Sequence, residues 1–331
     1  MTTPPDPSVP PRPADPPGGD LDPALVPVAM ALPVLSPSAA ALRAQRLRLV
    51  GIALMCGAVA CFACIDTTAK YLGRHFDILE VSWARYVSAL VLALLVFNPV
   101  TRPGLLRTRR PALQIGRSAL LLSTTLLNFG ALKYLQLDQA LAITFSAPLM
   151  VAALAGPMLG ERIGPRRWAA IVVGLVGVML VLQPGFGSVH PAALMSLLSA
   201  VCASFYAIAT RVLSRWDSDA TTLFYSNLLG VLLLTPAMPF VWTTPTDPLL
   251  IGLMIMFGGF GSLGHFLLIV AHRHTPASIL SPFSYSQLLW ATTLGFVVFG
   301  DVPNRWTLAG AAVVIASGLY LVHRERVRRA R

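Results

Sequence analysis

Charge is what this chain has least of. Of 331 residues, 12% are Asp, Glu, Lys or Arg, and the acidic share is smaller still, 14 residues against 25 basic. A water-soluble domain spends about a quarter of its residues on charge. Half that, over this length, excludes an ordinary soluble protein and points to lipid as the solvent. Cysteine is also scarce. Cys56, Cys61, Cys64 and Cys202 all stand in apolar runs, and their spacing matches neither a secreted disulfide framework nor a C-x-x-C…C-x-x-C zinc site. Such thiols behave as small hydrophobes, with a redox or metal role for the single Cys61–Cys64 CxxC unit as the alternative. No G-x-x-x-x-G-K-[ST] loop is present, so ATP does not energise the chain directly. Neither a cofactor nor a metal is expected.

What is present is apolar: 55% of the chain is hydrophobic. The net charge of +11 raises nucleic acid as a partner, but its distribution excludes that. The basic residues sit in short clusters between apolar runs, without a basic stripe or an RNA-binding signature. Residues 1–42 form a tail; its first 40 or so residues hold twelve of the 27 prolines. Such a segment buries too little apolar surface to offset its ordering entropy and is expected to be disordered. It lacks the basic n-region, short apolar core and A-x-A site of a cleaved signal peptide.

Ten apolar segments follow, each near the roughly 20 residues that span a bilayer core. They fall near 48–69, 78–98, 114–133, 138–158, 167–183, 191–211, 220–242, 249–271, 276–299 and 306–323. Gln114 and Arg117 shorten the third, and both are expected to snorkel to the surface. With the N-terminus placed inside and loops assigned alternately, twenty basic residues fall inside and four outside, with Arg85 in the membrane. That is the positive-inside asymmetry; it predicts both termini on the cytoplasmic side and a short basic tail at 324–331.

Two stretches repeat. "ALAITFSAPLMVAALAGPMLGERIGPRRWAAIVVGLVGVMLVL" and "SILSPFSYSQLLWATTLGFVVFGDVPNRWTLAGAAVVIASGLYLV" each contain a Pro-interrupted apolar helix ending in Gly plus an acid, Gly160-Glu161 and Gly300-Asp301. A Pro-containing basic turn and a helix with a deep glycine (Gly177, Gly318) come next in both. The unit is about 140 residues and five spans, giving repeats at 43–186 and 187–323. Because five is odd, consecutive units enter the membrane from opposite sides. The expected fold is therefore an all-α integral membrane protein of ten transmembrane helices in two inverted-topology five-helix repeats. Pseudo-twofold symmetry of that kind lets two halves exchange roles in alternating access.

From about 48 to 323 the chain resembles the drug/metabolite transporter superfamily, with two EamA-type domains. The resemblance is carried by Lys70, by "WARY" opening the second span, by "ALKYLQLDQALAITFSAPL…LGER" and by "SPFSYSQLLWATTLGFVVFGDVPNRWTLAGAAVVIASGLY". It implies a secondary transporter in a bacterial inner membrane, its small-metabolite substrate held between the halves. The superfamily includes exporters of amino acids and metallophores and importers of S-adenosylmethionine or riboflavin, so direction stays open. Two other readings remain: a receptor or accessory subunit without transport, and an integral membrane enzyme acting on lipid-linked substrates. The enzyme would need clustered carboxylates or histidines at a membrane edge, where the loops offer only Asp217 and Asp219.

Candidate substrate-binding or gating residues follow from the cost of polarity in lipid. Asp66 and Lys70 are i, i+4 on one helix and expected to pair. An Arg at the bilayer centre costs about 2.5–3.5 kcal/mol on insertion scales, so Arg85 should find an acid, Asp66 first and Glu80 next; the alternative to a substrate route is a static clamp between the first two spans. The resemblance supports Lys70 and Arg85, and Trp83 belongs to the same WARY stretch. If Asp66 lost Arg85 to the substrate it could take up a proton. Asn128, Asn227 and His265 bring hydrogen-bonding capacity into apolar helices, for substrate or for helix–helix contacts. Pro148 and Pro282 break corresponding spans, which points to a transporter's site. Ser284, Tyr285, Ser286, Gln287 and Trp290 around the second break suit a cavity wall. Gly160, Glu161, Gly300 and Asp301 are read as structural, and Trp168 and Trp306 as interfacial anchors.

Overall fold

A computed structural model describes residues 37–96, 106–159, 164–182, 190–275 and 277–329. The proline-rich tail expected at 1–42 lies almost wholly outside them, as do Gly160 and Glu161. The helices are α1 (Pro37–Leu72), α2 (Ile78–Val96), α3 (Pro111–Leu132), α4 (Leu137–Thr144), α5 (Ala147–Leu159), α6 (Pro165–Leu182) and α7 (Pro191–Leu213). Then come α8 (Asp219–Leu234), α9 (Met238–Val241), α10 (Pro248–His274), α11 (Ala277–Ser284), α12 (Gln287–Leu294) and α13 (Arg305–Arg329). Among the described residues there is no strand. In hydrocarbon only a helix or a closed barrel satisfies every backbone group internally, and Leu-, Ala- and Val-rich runs of this length take the helix.

Nine stretches are long and apolar enough to cross a bilayer, among the described residues, where ten were expected. The shortfall is the expected ninth segment. It is divided into α11, α12 and a π-helical turn, Gly295–Phe299, instead of running as one helix. Its first-repeat counterpart is divided too, into α4 and α5, although Leu137–Leu154 still counts as one apolar stretch. The interruptions fall at Phe145–Ser146 and Tyr285–Ser286, 140 residues apart, so they obey the repeat.

The prolines that signal these breaks are not themselves equivalent. Pro148 stands just after its break, at the start of α5, where a missing N–H is tolerated. Pro282 lies before its break, inside α11. There the chain tightens: Tyr285 N–H donates to Pro282 O (3.4 Å), Ser286 N–H to Phe283 O (3.1 Å) and Leu288 N–H to Tyr285 O (3.1 Å). Proline at different places in a helix thus produces the same interruption, because either one removes a rung of the i→i−4 ladder.

Helix pairing displays the inverted repeat. Two contacts join a helix to its own counterpart, α2 to α8 and α6 to α13, and α4 meets α12, the second half of the span that corresponds to its own. Others exchange under the same operation: α3 packs on α8 as α10 packs on α2, and α3 on α7 as α10 on α1. The α6–α13 crossing brings two glycines into backbone contact. A Cβ on Gly310 would lie 2.5 Å from the Gly177 carbonyl oxygen, and one on Gly177 would lie 2.9 Å from the Gly310 carbonyl oxygen. Nearby, the Ser317 hydroxyl donates to the Ala170 carbonyl across the same seam. Without a hydrophobic drive between helices in lipid, close backbone approach over small residues supplies the packing.

Replacing Gly310 by Val should therefore lower the thermal stability of detergent-purified protein, by at least the roughly 1–3 kcal/mol typical of overpacking. Gly252→Ala, where no atom lies within 4 Å of the added carbon, should leave the melting temperature unchanged or slightly higher.

Candidate functional site

A cavity of about 410 Å³ opens between α2, α3, α7, α8 and α10. It runs from Arg85, seven residues into α2, to Val96, Ala220 and Ile269 near the helix ends that adjoin the arginine-rich connections. Most of its wall is apolar, with Phe224 and Phe266 among the lining residues; polar groups come from Arg85, Tyr206, Ser226, Asn227, Ser262 and His265. A mostly apolar cleft with a few convergent polar groups is the usual form of a small-molecule site.

Arg85 does not pair with Asp66 or Glu80, against the expectation from helix depth. Its Nη1 donates to the Thr125 hydroxyl on α3 at 2.9 Å, and its guanidinium lies 4.9 Å over the Tyr86 ring and 5.9 Å over the Phe129 ring. A hydroxyl and two π-faces hold the cation while leaving most of its donors unspent. Asp66 binds instead to Asn128, whose amide donates to Oδ1 at 2.9 Å. Two expected polar residues of different spans therefore do meet, as partners of one another. Glu80 is fully buried and accepts the Thr243 backbone N–H at 3.0 Å.

Lys70 turns away from Asp66 as well. Its ammonium donates to Asp301 Oδ2 at 2.6 Å, across 231 residues and from one repeat to the other. Gly300 delivers the carboxylate. It sits at φ +73, in the left-handed region that glycine enters without a Cβ clash, and lets Asp301 N–H close back on Gly295 O at 3.1 Å. The Phe299 ring lies under both Lys70 and Arg74, at 4.8 and 4.6 Å. Asp138, buried at the start of α4, is within electrostatic reach of both members of the pair. The cluster occupies the end of the bundle opposite the cavity mouth.

Neither residue expected to snorkel does so: Gln114 is fully buried, its amide facing Thr221 O at 3.4 Å, and Arg117 is misplaced with it. Arg117 is 3% exposed, and it donates to Thr210 Oγ1 (2.7 Å), Ser226 Oγ (2.6 Å) and the Tyr206 hydroxyl (2.6 Å). Two of those partners line the cavity, so Arg117 holds the wall from behind. An Arg six positions into an otherwise apolar span was the available signal, outweighed by its nearness to the span's end.

The remaining candidates disperse. Asn227 and His265 line the cavity with Arg85, and the His265 ring packs edge-on against Phe62 at 5.2 Å. Trp83 lies elsewhere, with Nε1 donating to Thr235 (3.0 Å) and the ring against Trp242. Tyr285 meets Phe145 edge to face at 5.1 Å and abuts Gly318, so the two interruptions touch across the repeats. The Ser286 hydroxyl donates to Phe283 O at 2.7 Å, within its own turn. Gln287 and Ser284 are half-buried, and Trp290 is 42% exposed. The hydroxyl-rich stretch joins the halves and does not line the cavity. Among the described residues no group of three His, Cys, Asp or Glu is placed to hold a metal.

Helices paired with their own counterparts, two of them interrupted where they meet, around a cavity that reaches one end of the bundle, define a membrane transporter of the inverted-repeat class. The chain belongs to the EamA-like transporter family, whose model matches residues 49–183 and 190–323. The chain is 30% identical over 262 residues to an S-adenosylmethionine uptake transporter of Rickettsia bellii, covering 79% of this chain and 89% of that one. A riboflavin transporter of Brucella anthropi is 27% identical over 283 residues, 82% of this chain and 98% of its own. A solved crystal structure aligns with 84% of this chain and 99% of its own at a TM-score of 0.58; at 17% identity it speaks for the fold alone. The family is one of transporters, not enzymes, and the lipid-linked enzyme reading falls with it.

Removing one member of the Lys70–Asp301 pair leaves the other charge partly buried and unpaired. At 9% and 22% side-chain exposure, Lys70→Ala should cost about 1–3 kcal/mol, less than for a fully buried pair. The reversed pair, Lys70→Asp with Asp301→Lys, should recover much of the lost melting temperature, read by thermal unfolding in detergent.

Proposed function

We propose that this chain is a secondary transporter that carries a small polar or amphipathic metabolite across a bacterial inner membrane by alternating access. In this reading the substrate enters the cavity beside Arg85, Asn227 and His265. The Lys70–Asp301 pair and Asp138 close the far end. The observation that carries the reading is this contrast of ends: a cavity reaching one face of the bundle, and a compact ion pair between the two repeats at the other. The excess of arginine near the cavity mouth makes that face the cytoplasmic one, with both termini on the same side.

Relatives named for S-adenosylmethionine and riboflavin support a substrate that joins a flat heteroaromatic ring to a polar chain. Phe224, Phe266 and Tyr206 offer faces for the ring, and Arg85, Ser226 and Asn227 offer groups for the chain. About 410 Å³ lies within the range of roughly 300–1,000 Å³ usual for small-molecule sites. Proton coupling belongs to the same proposal. Asp66, held by a neutral amide instead of a cation, is the carboxylate that binds and releases a proton as substrate docks on Arg85.

In cells lacking the protein, restoring the wild-type chain should move one small molecule between cells and medium, found by paired metabolite profiling. Arg85→Ala should fail to restore it while reaching the membrane in normal amount. No shift with wild type in the membrane would sink the transport reading in favour of a receptor or accessory subunit. With the molecule identified, Asp66→Asn should flatten the pH dependence of its flux in proteoliposomes; an unchanged profile removes Asp66 from coupling.

A further inference from the structure

Arg85 has five N–H donors, and the protein uses one of them, for Thr125. Among the described residues no carboxylate lies within 4 Å of its guanidinium. No Asp or Glu among the described residues lines the cavity that it borders. Its other polar lining groups are neutral hydroxyls, an amide and the His265 imidazole, which makes no hydrogen bond to another described residue and rests on Phe62. Asp66, the acid on the neighbouring helix, is tied to Asn128.

A guanidinium in a low-dielectric site with a free edge is built for one chemistry. Its planar fork matches the two oxygens of a carboxylate or phosphate, and charge-assisted pairs of this kind are about twice as strong as neutral hydrogen bonds. The Tyr86 and Phe129 rings under Arg85 fix the plane of the fork without neutralising it, which a carboxylate would do. The cavity wall therefore shows a net positive group and offers no protein anion to a cationic ligand.

We propose that the transported molecule is an organic oxyanion, docked through its carboxylate or phosphate on the free edge of Arg85, with its apolar or aromatic body against Phe224 and Phe266. This rests on the transport reading and narrows it to a substrate charge. Asn227, on the facing helix α8, completes the oxyanion's surroundings from the other repeat, while Ser226, its O–H donated to Thr222 O and its oxygen accepting from Arg117, holds the wall beside it. The hydrogen bond that Arg85 donates to Thr125 stays in place and steadies the guanidinium as the oxyanion docks.

The test compares molecules that differ only in charge. Equilibrium binding to the full chain in detergent is measured for riboflavin against riboflavin 5′-phosphate, and for indole-3-acetamide against indole-3-acetate. These pairs separate a phosphate from a carboxylate preference. At least one anion should bind ten times or more tightly than its neutral twin. Arg85→Gln should reduce that ratio to about one, and Arg85→Lys, which keeps the charge without the fork, should give an intermediate value. Ratios near one in both pairs, no binding by either anion, or a preference that survives Arg85→Gln would each overturn the proposal. Flux of the same compounds into proteoliposomes keeps the two readings apart. An anion that binds selectively but never crosses overturns transport and leaves the oxyanion site standing. Crossing without charge preference does the reverse.

Discussion

Lipid offers the backbone no hydrogen bonds, and this constraint organises the molecule. Every N–H and C=O left over by an interrupted helix must find a partner in protein or be wasted, at a cost of several kcal/mol per group. The chain interrupts two corresponding spans, at Phe145–Ser146 and Tyr285–Ser286, and brings the two breaks together. There the 3₁₀-type bonds after Pro282 take up part of what the regular ladder has lost, and the edge-to-face contact of Phe145 with Tyr285 joins the two breaks. The glycine seam of α6 and α13 closes on the same side as these two segments' contact, where Tyr285 abuts Gly318 of α13. Placement of the breaks sets where the halves touch; that in turn sets where a cavity can remain.

The spans, the repeat and the family were legible because each depends on local pattern: length of apolar runs, alternation of arginines between loops, Gly-plus-acid after a broken helix. The structure adds that one span is divided finely enough not to register as a single helix, which its Ser and Pro content implied only loosely. Partnerships were far less legible. Asp66 and Lys70 share a helical face, yet Lys70 reaches 231 residues along the chain and Asp66 joins Asn128. Helix depth narrows the choice of partners to a layer; only lateral packing selects one of them.

Arg85, Asn227 and His265 were found from sequence because polarity in an apolar span is costly and thus informative. The same logic failed for "SYS", where hydroxyls close to a break satisfy the break itself. It failed in the opposite sense for Arg117, which is near enough to a helix end to seem free to leave but is held by Thr210, Ser226 and Tyr206. A polar side chain in lipid announces that it has a partner, and the sequence does not say whether the partner is a ligand, a helix or its own turn.

The pairing of α2 with α8 carries a last consequence. These are equivalent helices of the two repeats, offset by about 141 residues, so Arg85 corresponds to the neighbourhood of Ser226 and Asn227, and all three border one cavity. Two identical halves meeting in this way would set guanidinium against guanidinium on the symmetry axis. Joined in one polypeptide, the copies are free to differ, and here one wall bears the charge while the other bears the hydroxyl and the amide. The frame is nearly symmetric and its contents are polarised. A ligand seated there has a head and a tail, and it makes its passage facing one wall.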